Sequence, residues 1–158
     1  LRVYGCHVDD PRATQPSVAK NLKEEAHHGL QRVKTYLDFQ SRADKIKDDL
    51  LAFLIGQKRA GKRVAAYGAA AKGNTLLNFA GVKPDLLPLV CDAAPAKQGK
   101  FMPGSHIPIL PPEQLAESQP DYVLILPWNI AEEVKQQNVA LINAGVLFVT
   151  AVPELSIS

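Results

Sequence analysis

The sequence has few of the features that mark metal centres, disulfide scaffolds or membrane segments. It contains two cysteines, Cys6 and Cys91, which fit no metal-ligand spacing and no dense disulfide framework. The formal net charge at pH 7 is only +2, so the composition gives no sign of a general nucleic-acid or membrane surface. No apolar run approaches the roughly 18 residues of a membrane span. Together these absences predict a cytoplasmic protein whose basic sites are local.

What remains is the composition of an ordinary globular protein. Hydrophobic residues make up 46% and charged residues 22% of the 158 residues, which allows one medium domain with a core and a small appendage. At the amino terminus, Leu1–Tyr4 has the pattern of a β-strand, and no initiator methionine precedes it. We therefore expect residues 1–16 to be a strand and linker from a preceding domain of a longer protein.

Residues 17–61 are predicted to form a helical segment. Two apolar stripes, from Val18 to Leu37 and from Tyr36 to Phe53, repeat mostly every three or four residues. Their phase changes near Gln40, which favours two helices or one bent helix. The expected role of both stripes is packing, the second one against the domain that follows.

Residues 62–158 alternate between strand and helix patterns. Strands are predicted at 63–67, 86–91, 107–110, 122–126 and 146–152, and helices at 73–80, 111–118 and 129–143. This alternation indicates a parallel sheet with flanking helices. The predicted fold is a small Rossmann-like α/β domain with four or five strands, preceded by the long helical segment.

The most informative stretch is RVAAYGAAAKGNT, residues 63–75. A strand ends at Gly68 and a helix follows, so the unpaired first N–H groups of that helix would face the turn and attract an anion. Gly68, Ala70 and Gly73 occupy the three positions of the G-x-G-x-x-G motif, with alanine in the middle. Asn74 stands where the other phosphate-loop motif requires lysine. The pattern favours a phosphorylated nucleotide near Gly68 and disfavours ATP hydrolysis.

Other candidate ligand residues fall where strands of such a sheet end, the edge at which ligands bind. Asp92 follows the second strand and is placed either to bond a ribose hydroxyl or to cap a loop. Lys72, Lys97 and Lys100 are candidates for pairing with a diphosphate. His106 lies in a proline-flanked loop, where it either meets the ligand or makes a structural hydrogen bond.

Five more residues are candidates, and four of them have a structural alternative. Asn74 and Thr75 either bond phosphate or cap the helix that they begin. Trp128 either stacks on a base or sugar or covers the core, and Asn129 beside it has an amide that can bond the same ligand. Glu133 either bonds substrate hydroxyls or complements the dipole of its helix. We find no catalytic triad, paired catalytic carboxylates or metal cluster, so the pattern indicates a binding half-site.

Three blocks of the sequence resemble the C-terminal domain of the sugar C-methyltransferases. They are YGAAAKGNTLLNF (67–79), CDAAPAKQGKFMPGSHIPIL (91–110) and PDYVLILPWNIAEEV (120–134). Members of that family are bacterial S-adenosylmethionine-dependent enzymes that methylate a carbon of a nucleotide-linked deoxy-4-keto-hexose. The likeness covers essentially the whole chain, and three long blocks in the right order are more specific than a glycine motif alone.

The resemblance implies a division of labour. In that family a zinc-binding module and a central domain precede this one, and the central domain binds S-adenosylmethionine and supplies the catalytic base. This chain would then hold the nucleotide-sugar, a dTDP-linked 4-keto-hexose, and would be inactive alone, with no catalytic or metal-ligating residue of its own. The substrate contacts carried over by motif match are Gly68, Lys72, Asn74, Thr75, Asp92, Lys97, His106, Trp128, Asn129 and Glu133.

Two other functions stay open at this point. The first is a fragment of an oxidoreductase that binds NAD or a coenzyme A-type nucleotide through the glycine loop and Asp92. The second is an interaction module without a ligand, whose contact surface would be the helices of residues 17–60.

Overall fold

The computed structural model describes residues 2–158. The chain divides into two compact units, with the boundary between Gln40 and Ser41. The division expected at residues 16 and 61 concerns the domains of a longer protein and stays a prediction.

The first unit is built from two short helices, α1 (Pro16–His27) and α2 (Lys34–Leu37). Neither contains a buried residue. The turn between them has Gly29 at φ +70°, a left-handed conformation that ends α1, and the Thr35 hydroxyl donates to the Gly29 carbonyl at 2.7 Å. The predicted stripe from Val18 to Leu37 is therefore split between two helices.

The strand predicted at Leu1–Tyr4 is not seen in the described part of that segment. Leu1 lies outside the described residues, and residues 2–4 have no regular secondary structure. A β-strand requires a hydrogen-bonded neighbour. No strand of the described residues pairs with this segment.

The second unit begins inside the longest helix, α3 (Phe39–Arg59). None of the helices described in residues 2–158 is long and apolar enough to cross a membrane. The elements that follow α3 are β1 (Val64–Tyr67), α4 (Ala71–Phe79), β2 (Val90–Cys91), β3 (Ile109–Leu110), α5 (Glu113–Glu117), β4 (Tyr122–Ile125), a 3₁₀ turn (Trp128–Ile130), α6 (Ala131–Gln137), α7 (Val139–Asn143), β5 (Leu147–Thr150) and β6 (Ser156–Ile157).

The six strands form one sheet in the order β3-β2-β1-β4-β5-β6. All neighbours are parallel except β5 and β6, which are antiparallel. In the centre, Val64 of β1 pairs with Tyr122 of β4 and Tyr67 with Ile125. The predicted α/β class with a mainly parallel sheet and flanking helices is confirmed, and the strand order is that of doubly wound sheets.

Alternation along the central strands explains why helices cover both faces. Val64 and Ala66 of β1 join one core with Leu50 and Leu54 of α3 and Leu77 of α4. The residues between them in β1, and those facing the same way in β4, join a second core with α5 and α6: Ala65, Tyr67, Val123, Ile125, Leu115 and Val134. Because successive side chains of a strand point to opposite faces, a fully apolar strand needs a helix layer on each side.

Two predicted elements differ clearly from the structure, and one strand was not predicted. The strand predicted at 86–91 is only Val90–Cys91, because residues 84–86 form a turn and Pro88 has no N–H to donate to a neighbouring strand. The helix predicted at 129–143 is a 3₁₀ turn and two helices that meet at Asn138. The sixth strand was not expected, since two residues carry no recognisable strand pattern.

Candidate functional site

Gly68 makes the turn between β1 and α4. Its φ is +87°, and a Cβ at this position would lie 2.5 Å from Cδ of Pro127, which follows β4. A side chain is thus excluded by both conformation and space. The Gly68 N–H donates to the Cys91 carbonyl at 2.7 Å, so the turn is tied to the end of β2.

Helix α4 begins at Ala71, directly against this turn. Its N-cap residue, Ala70, is extended and offers no side-chain hydrogen bond to the first N–H groups. A Cβ at Gly73 would lie 2.5 Å from Cβ of Leu126, so only glycine lets the helix sit this close to the end of β4. The amino end of α4 is therefore held at the carboxyl edge of the sheet without a side-chain cap, which is the arrangement of anion sites.

The Asp92 carboxylate joins the two loops at this edge. It is only 7% exposed, and it accepts hydrogen bonds from the Ala69 N–H at 2.7 Å, the Ala94 N–H at 2.8 Å and the Lys97 ammonium at 3.0 Å. Burial alone would raise its pKa, but the bonds from Ala94, Lys97 and Ala69 outweigh burial and lower the pKa below its usual value. In this structure Asp92 acts as a loop cap; contact with a ribose stays a prediction.

Lys97 is occupied by the same group of contacts. Its ammonium donates to Asp92 and, at 3.0 Å, to the Ala69 carbonyl, while Gln98 donates to the Asp92 carbonyl at 2.9 Å. Lys100, the third lysine considered, donates to the Ala96 carbonyl at 2.6 Å within its own loop. We refer to Ala69, Asp92, Ala94, Lys97 and Gln98 as the braced loops.

Lys72 belongs to a different group of contacts. Its ammonium lies 4.6 Å from the centroid of the Trp128 ring and donates a hydrogen bond to the Asn129 side-chain oxygen. Within residues 2–158, no carboxylate lies within ion-pair distance of this ammonium. Trp128 also packs against the core, which is one of the two roles that the sequence left open for it. Stacking of its ring on a base or sugar stays a prediction. We refer to Lys72, Trp128 and Asn129 as the open cluster.

The other predicted site residues, Asn74, Thr75, His106 and Glu133, belong neither to the braced loops nor to the open cluster. Asn74, at the start of α4, has a buried side-chain oxygen that finds no hydrogen-bond partner in the described part of the chain. Thr75 donates to the Ala71 carbonyl at 3.2 Å rather than capping the helix. His106 is exposed at φ +59° with its ring 6.5 Å from that of Phe101, and Glu133 is exposed in the first turn of α6. In the described part of the chain, no hydrogen bond or ion pair joins the side chain of His106 or Glu133 to the open cluster.

One feature of this edge was not found from the sequence. A pocket of about 310 Å³ lies beside the open cluster, lined by Ala43, Ile46, Lys72, Thr75, Leu76, Phe79, Trp128 and Val152. Two of these, Ala43 and Ile46, belong to the second apolar stripe, which predicted packing only. The sequence did contain one sign of this pocket. The four lining residues that belong to α4 have the spacing of residues on a single face of a helix.

The Cys91 side chain takes no part in this edge, although its backbone carbonyl accepts the Gly68 N–H. Burial raises the pKa of the Cys91 thiol to about 12, so this side chain is an inert part of the core. In the described residues 2–158, no group of three His, Cys, Asp or Glu side chains is placed to hold a metal ion.

Comparison with known proteins defines the class to which this fold and edge belong. Residues 1–153 match the family model of the C-methyltransferase C-terminal domain, and the chain therefore belongs to that family. The C-methyltransferase NovU of Streptomyces niveus is 37% identical over 152 residues, which are 96% of this chain and 36% of NovU. The chain thus spans about a third of the length of this relative.

A solved structure shows a more distant likeness. It is the UDP-D-quinovosamine 4-dehydrogenase of Vibrio fischeri, which is 24% identical in sequence. The match covers 59% of this chain and 79% of that one, with a TM-score of 0.45.

Proposed function

We propose that this chain is the nucleotide-sugar-binding domain of a sugar C-methyltransferase. It would bind a dTDP-linked 4-keto-hexose at the carboxyl edge of the sheet and present it to a domain that carries S-adenosylmethionine. The family membership and the C-methyltransferase relative supply the reaction class. The observation that carries the assignment of the site is the uncompensated positive charge of Lys72 beside an uncapped helix start.

The lysines of this edge differ in whether a carboxylate lies beside them. Lys97 is neutralised by Asp92, so its ammonium has little attraction left for a ligand. Lys72 is held by a neutral amide and an aromatic ring, which stabilise a cation without cancelling its charge. A diphosphate that reaches the first turn of α4 would therefore meet free N–H groups and one available ammonium.

The buried oxygen of Asn74 supports a ligand that carries donors as well as anionic groups. A buried acceptor without a partner costs on the order of 1–3 kcal/mol, and a ligand hydroxyl would relieve that cost if the Asn74 side chain turned toward it. A nucleotide-sugar has both kinds of group: phosphate oxygens that accept and sugar hydroxyls that donate.

The chemistry proposed for the whole enzyme gives this domain a positioning role. The 4-keto group acidifies the proton on the neighbouring carbon, a base of another domain removes that proton, and the resulting enolate carbon takes up the methyl group. S-Adenosylmethionine supplies that methyl group when it is bound to the other domain, and zinc belongs to a separate amino-terminal module. The share of this chain is to hold the diphosphate and sugar so that the reacting carbon is in line with the methyl donor.

The oxidoreductase alternative is less well supported by the braced loops. A ribose contact from Asp92 requires a carboxylate oxygen that is free to accept a hydroxyl. Oδ2 of Asp92 already accepts from Ala69 and Lys97, and Oδ1 accepts from Ala94. An NAD ribose would have to compete with these bonds.

The test is a binding titration of Lys72→Ala with dTDP. We expect the substitution to weaken binding by about 1–3 kcal/mol, the scale of a charge-assisted hydrogen bond. Lys58→Ala is the matched control, because it removes the same charge from the end of α3, where Lys58 pairs with Asp85 at 3.2 Å. Isothermal titration calorimetry of both variants against the wild type measures the difference.

Two results would count against the proposal. If Lys72→Ala binds dTDP as tightly as Lys58→Ala does, the lysine is not part of the site. If the backbone amides of residues 68–75 respond to NAD in an NMR titration and not to dTDP, the proposed nucleotide-sugar ligand is wrong, and this edge binds a dinucleotide instead.

A further inference from the structure

The pocket beside the open cluster lies along one face of α4. Lys72, Thr75, Leu76 and Phe79 follow one another at spacings of three, one and three residues, which places them on the same side of the helix. Helix α3 forms the facing wall with Ala43 and Ile46. The pocket therefore starts at the anion-binding end of α4 and extends toward its other end.

The lining of the pocket is aromatic and aliphatic. Phe79 is 46% exposed and Trp128 half-buried, and the polar groups in the lining are the Lys72 ammonium and the Thr75 hydroxyl. A hexose would bring several hydroxyl groups into such a pocket without partners, and each would be costly to bury. A planar heteroaromatic ring loses little there, because its faces stack on aromatic side chains.

Size and distance agree with a single ring. The volume of about 310 Å³ is at the small end of the range for ligand pockets, about 300–1,000 Å³, so it suits one part of a nucleotide-sugar. Leu76, in the middle of the face, is four residues or about 6 Å along the helix axis from Lys72. A deoxyribose spans a comparable distance between a base and its first phosphate.

We propose that this pocket is the base subsite: it holds the nucleobase of a nucleotide whose diphosphate lies at the start of α4. This inference rests on the proposed function and assigns the part of the ligand that the pocket takes. Lys72 belongs to both subsites, since it lines the pocket and also lies in the first turn of α4, where the phosphates are placed by the proposed function.

Methyl NMR of this protein tests the assignment, because ring stacking shifts nearby methyl signals even when binding is weak. The probes are dTDP, thymidine and inorganic pyrophosphate, each added separately to millimolar concentration. We expect dTDP and thymidine to shift the methyl signals of Ile46, Leu76 and Val152. Pyrophosphate should move the amides of residues 68–75 and leave these methyls unchanged. Val64, at the opposite end of β1, is the internal control.

Substitution of Phe79 supplies a second, independent measurement. Phe79→Ala should weaken dTDP binding about tenfold, the effect of losing a base–aromatic stack, and leave pyrophosphate binding unchanged. Ile142→Ala, which truncates an apolar residue of similar exposure on α7, should change neither. Phe79→Leu keeps the apolar volume, so a loss in this variant as well points to the ring itself. Circular dichroism of each variant confirms that it is folded.

The outcomes separate the base subsite from the proposed function. If pyrophosphate and dTDP both bind but the pocket methyls stay unchanged, the diphosphate site stands and the base subsite is wrong. The same holds if Phe79→Ala binds dTDP like Ile142→Ala. If the wild type responds to none of the three probes, both proposals are overturned for this chain.

Discussion

The carboxyl edge of the sheet consists of two halves that use similar residues for different ends. In the braced loops, every charge has a partner: Asp92 accepts three hydrogen bonds and Lys97 donates two. In the open cluster, the Lys72 ammonium is held by a ring and a neutral amide only. One half uses its charge to hold the loops together, and the other is the half proposed to bind a ligand.

The difference shows that a lysine near a glycine loop is not by itself a phosphate ligand. Lys72 and Lys97 both reach this edge, and the distinguishing feature is whether a carboxylate lies within reach. Substitutions in the braced loops are therefore expected to act on stability, whereas substitutions in the open cluster are expected to act on binding.

The largest effect should come from Asp92→Ala. This substitution removes the carboxylate that accepts hydrogen bonds from the Ala69 and Ala94 N–H groups and from the Lys97 ammonium. We expect the free energy of unfolding to fall by about 2–3 kcal/mol, the scale for hydrogen bonds to a charged group. Urea unfolding of Asp92→Ala and Lys72→Ala measures the contrast, with Lys72→Ala close to the wild type. Equal losses in the two variants would abolish the distinction between the halves.

A somewhat smaller loss is expected from Gly73→Ala, which disturbs the open cluster without touching its polar groups. The new Cβ would lie 2.5 Å from Cβ of Leu126 and push α4 away from β4. We expect a loss of about 1–3 kcal/mol from overpacking, together with weaker dTDP binding. Gly56→Ala is the matched control, because Gly56 lies within α3 and a Cβ there meets nothing within 4 Å. That control should gain about 0.5–1 kcal/mol, and a gain in both variants would exclude the close packing of α4.

The smallest expected effect is the pH dependence of the stability that Asp92 gives to the braced loops. Because the pKa of Asp92 is lowered by folding, its contribution to stability is complete above the unfolded-state value of about 3.9 and is lost as the pH falls below it. The difference in unfolding free energy between the wild type and Asp92→Asn should therefore be larger at pH 6 than at pH 3. Thermal unfolding at both pH values measures it.

The opposite edge of the sheet offers a comparison for this pH dependence. The Arg63 N–H and the Lys62 ammonium lower the pKa of Asp121, so Asp121→Asn should show the same sign. If the difference in unfolding free energy between the wild type and Asp92→Asn is the same at pH 6 and pH 3, the ionised Asp92 carboxylate does not stabilise the loops.

The parts of the fold that follow local rules were predictable. The apolar run of β1, the glycine turn and the start of α4 all lie within residues 63–75, and the structure has them within two residues of their predicted bounds. Short strands could not be predicted in this way. Strand β6, for example, consists of two residues and is recognisable only by its pairing with β5. The turn at Gly29 splits the first helical stripe, and such a stripe is compatible with one helix or two.

The contacts of the site were less predictable than its members. Asp92 lies 23 residues from Ala69, and Lys72 lies 57 residues from Asn129, so neither pairing has a signature in spacing. Alternation of strands and helices places these residues at one edge, but it does not decide which lysine meets a carboxylate. That choice depends on the loop after β2, whose path is set by tertiary hydrogen bonds.

The contact between Lys72 and Trp128 also gives the protein an optical label of its own. The chain has a single tryptophan, so its emission comes from one place, and that place is the open cluster. A ligand that draws the ammonium away from the indole changes the electric field on the ring and hence the colour and intensity of its fluorescence. Binding of a ligand at this edge can then be followed in real time in the unmodified chain.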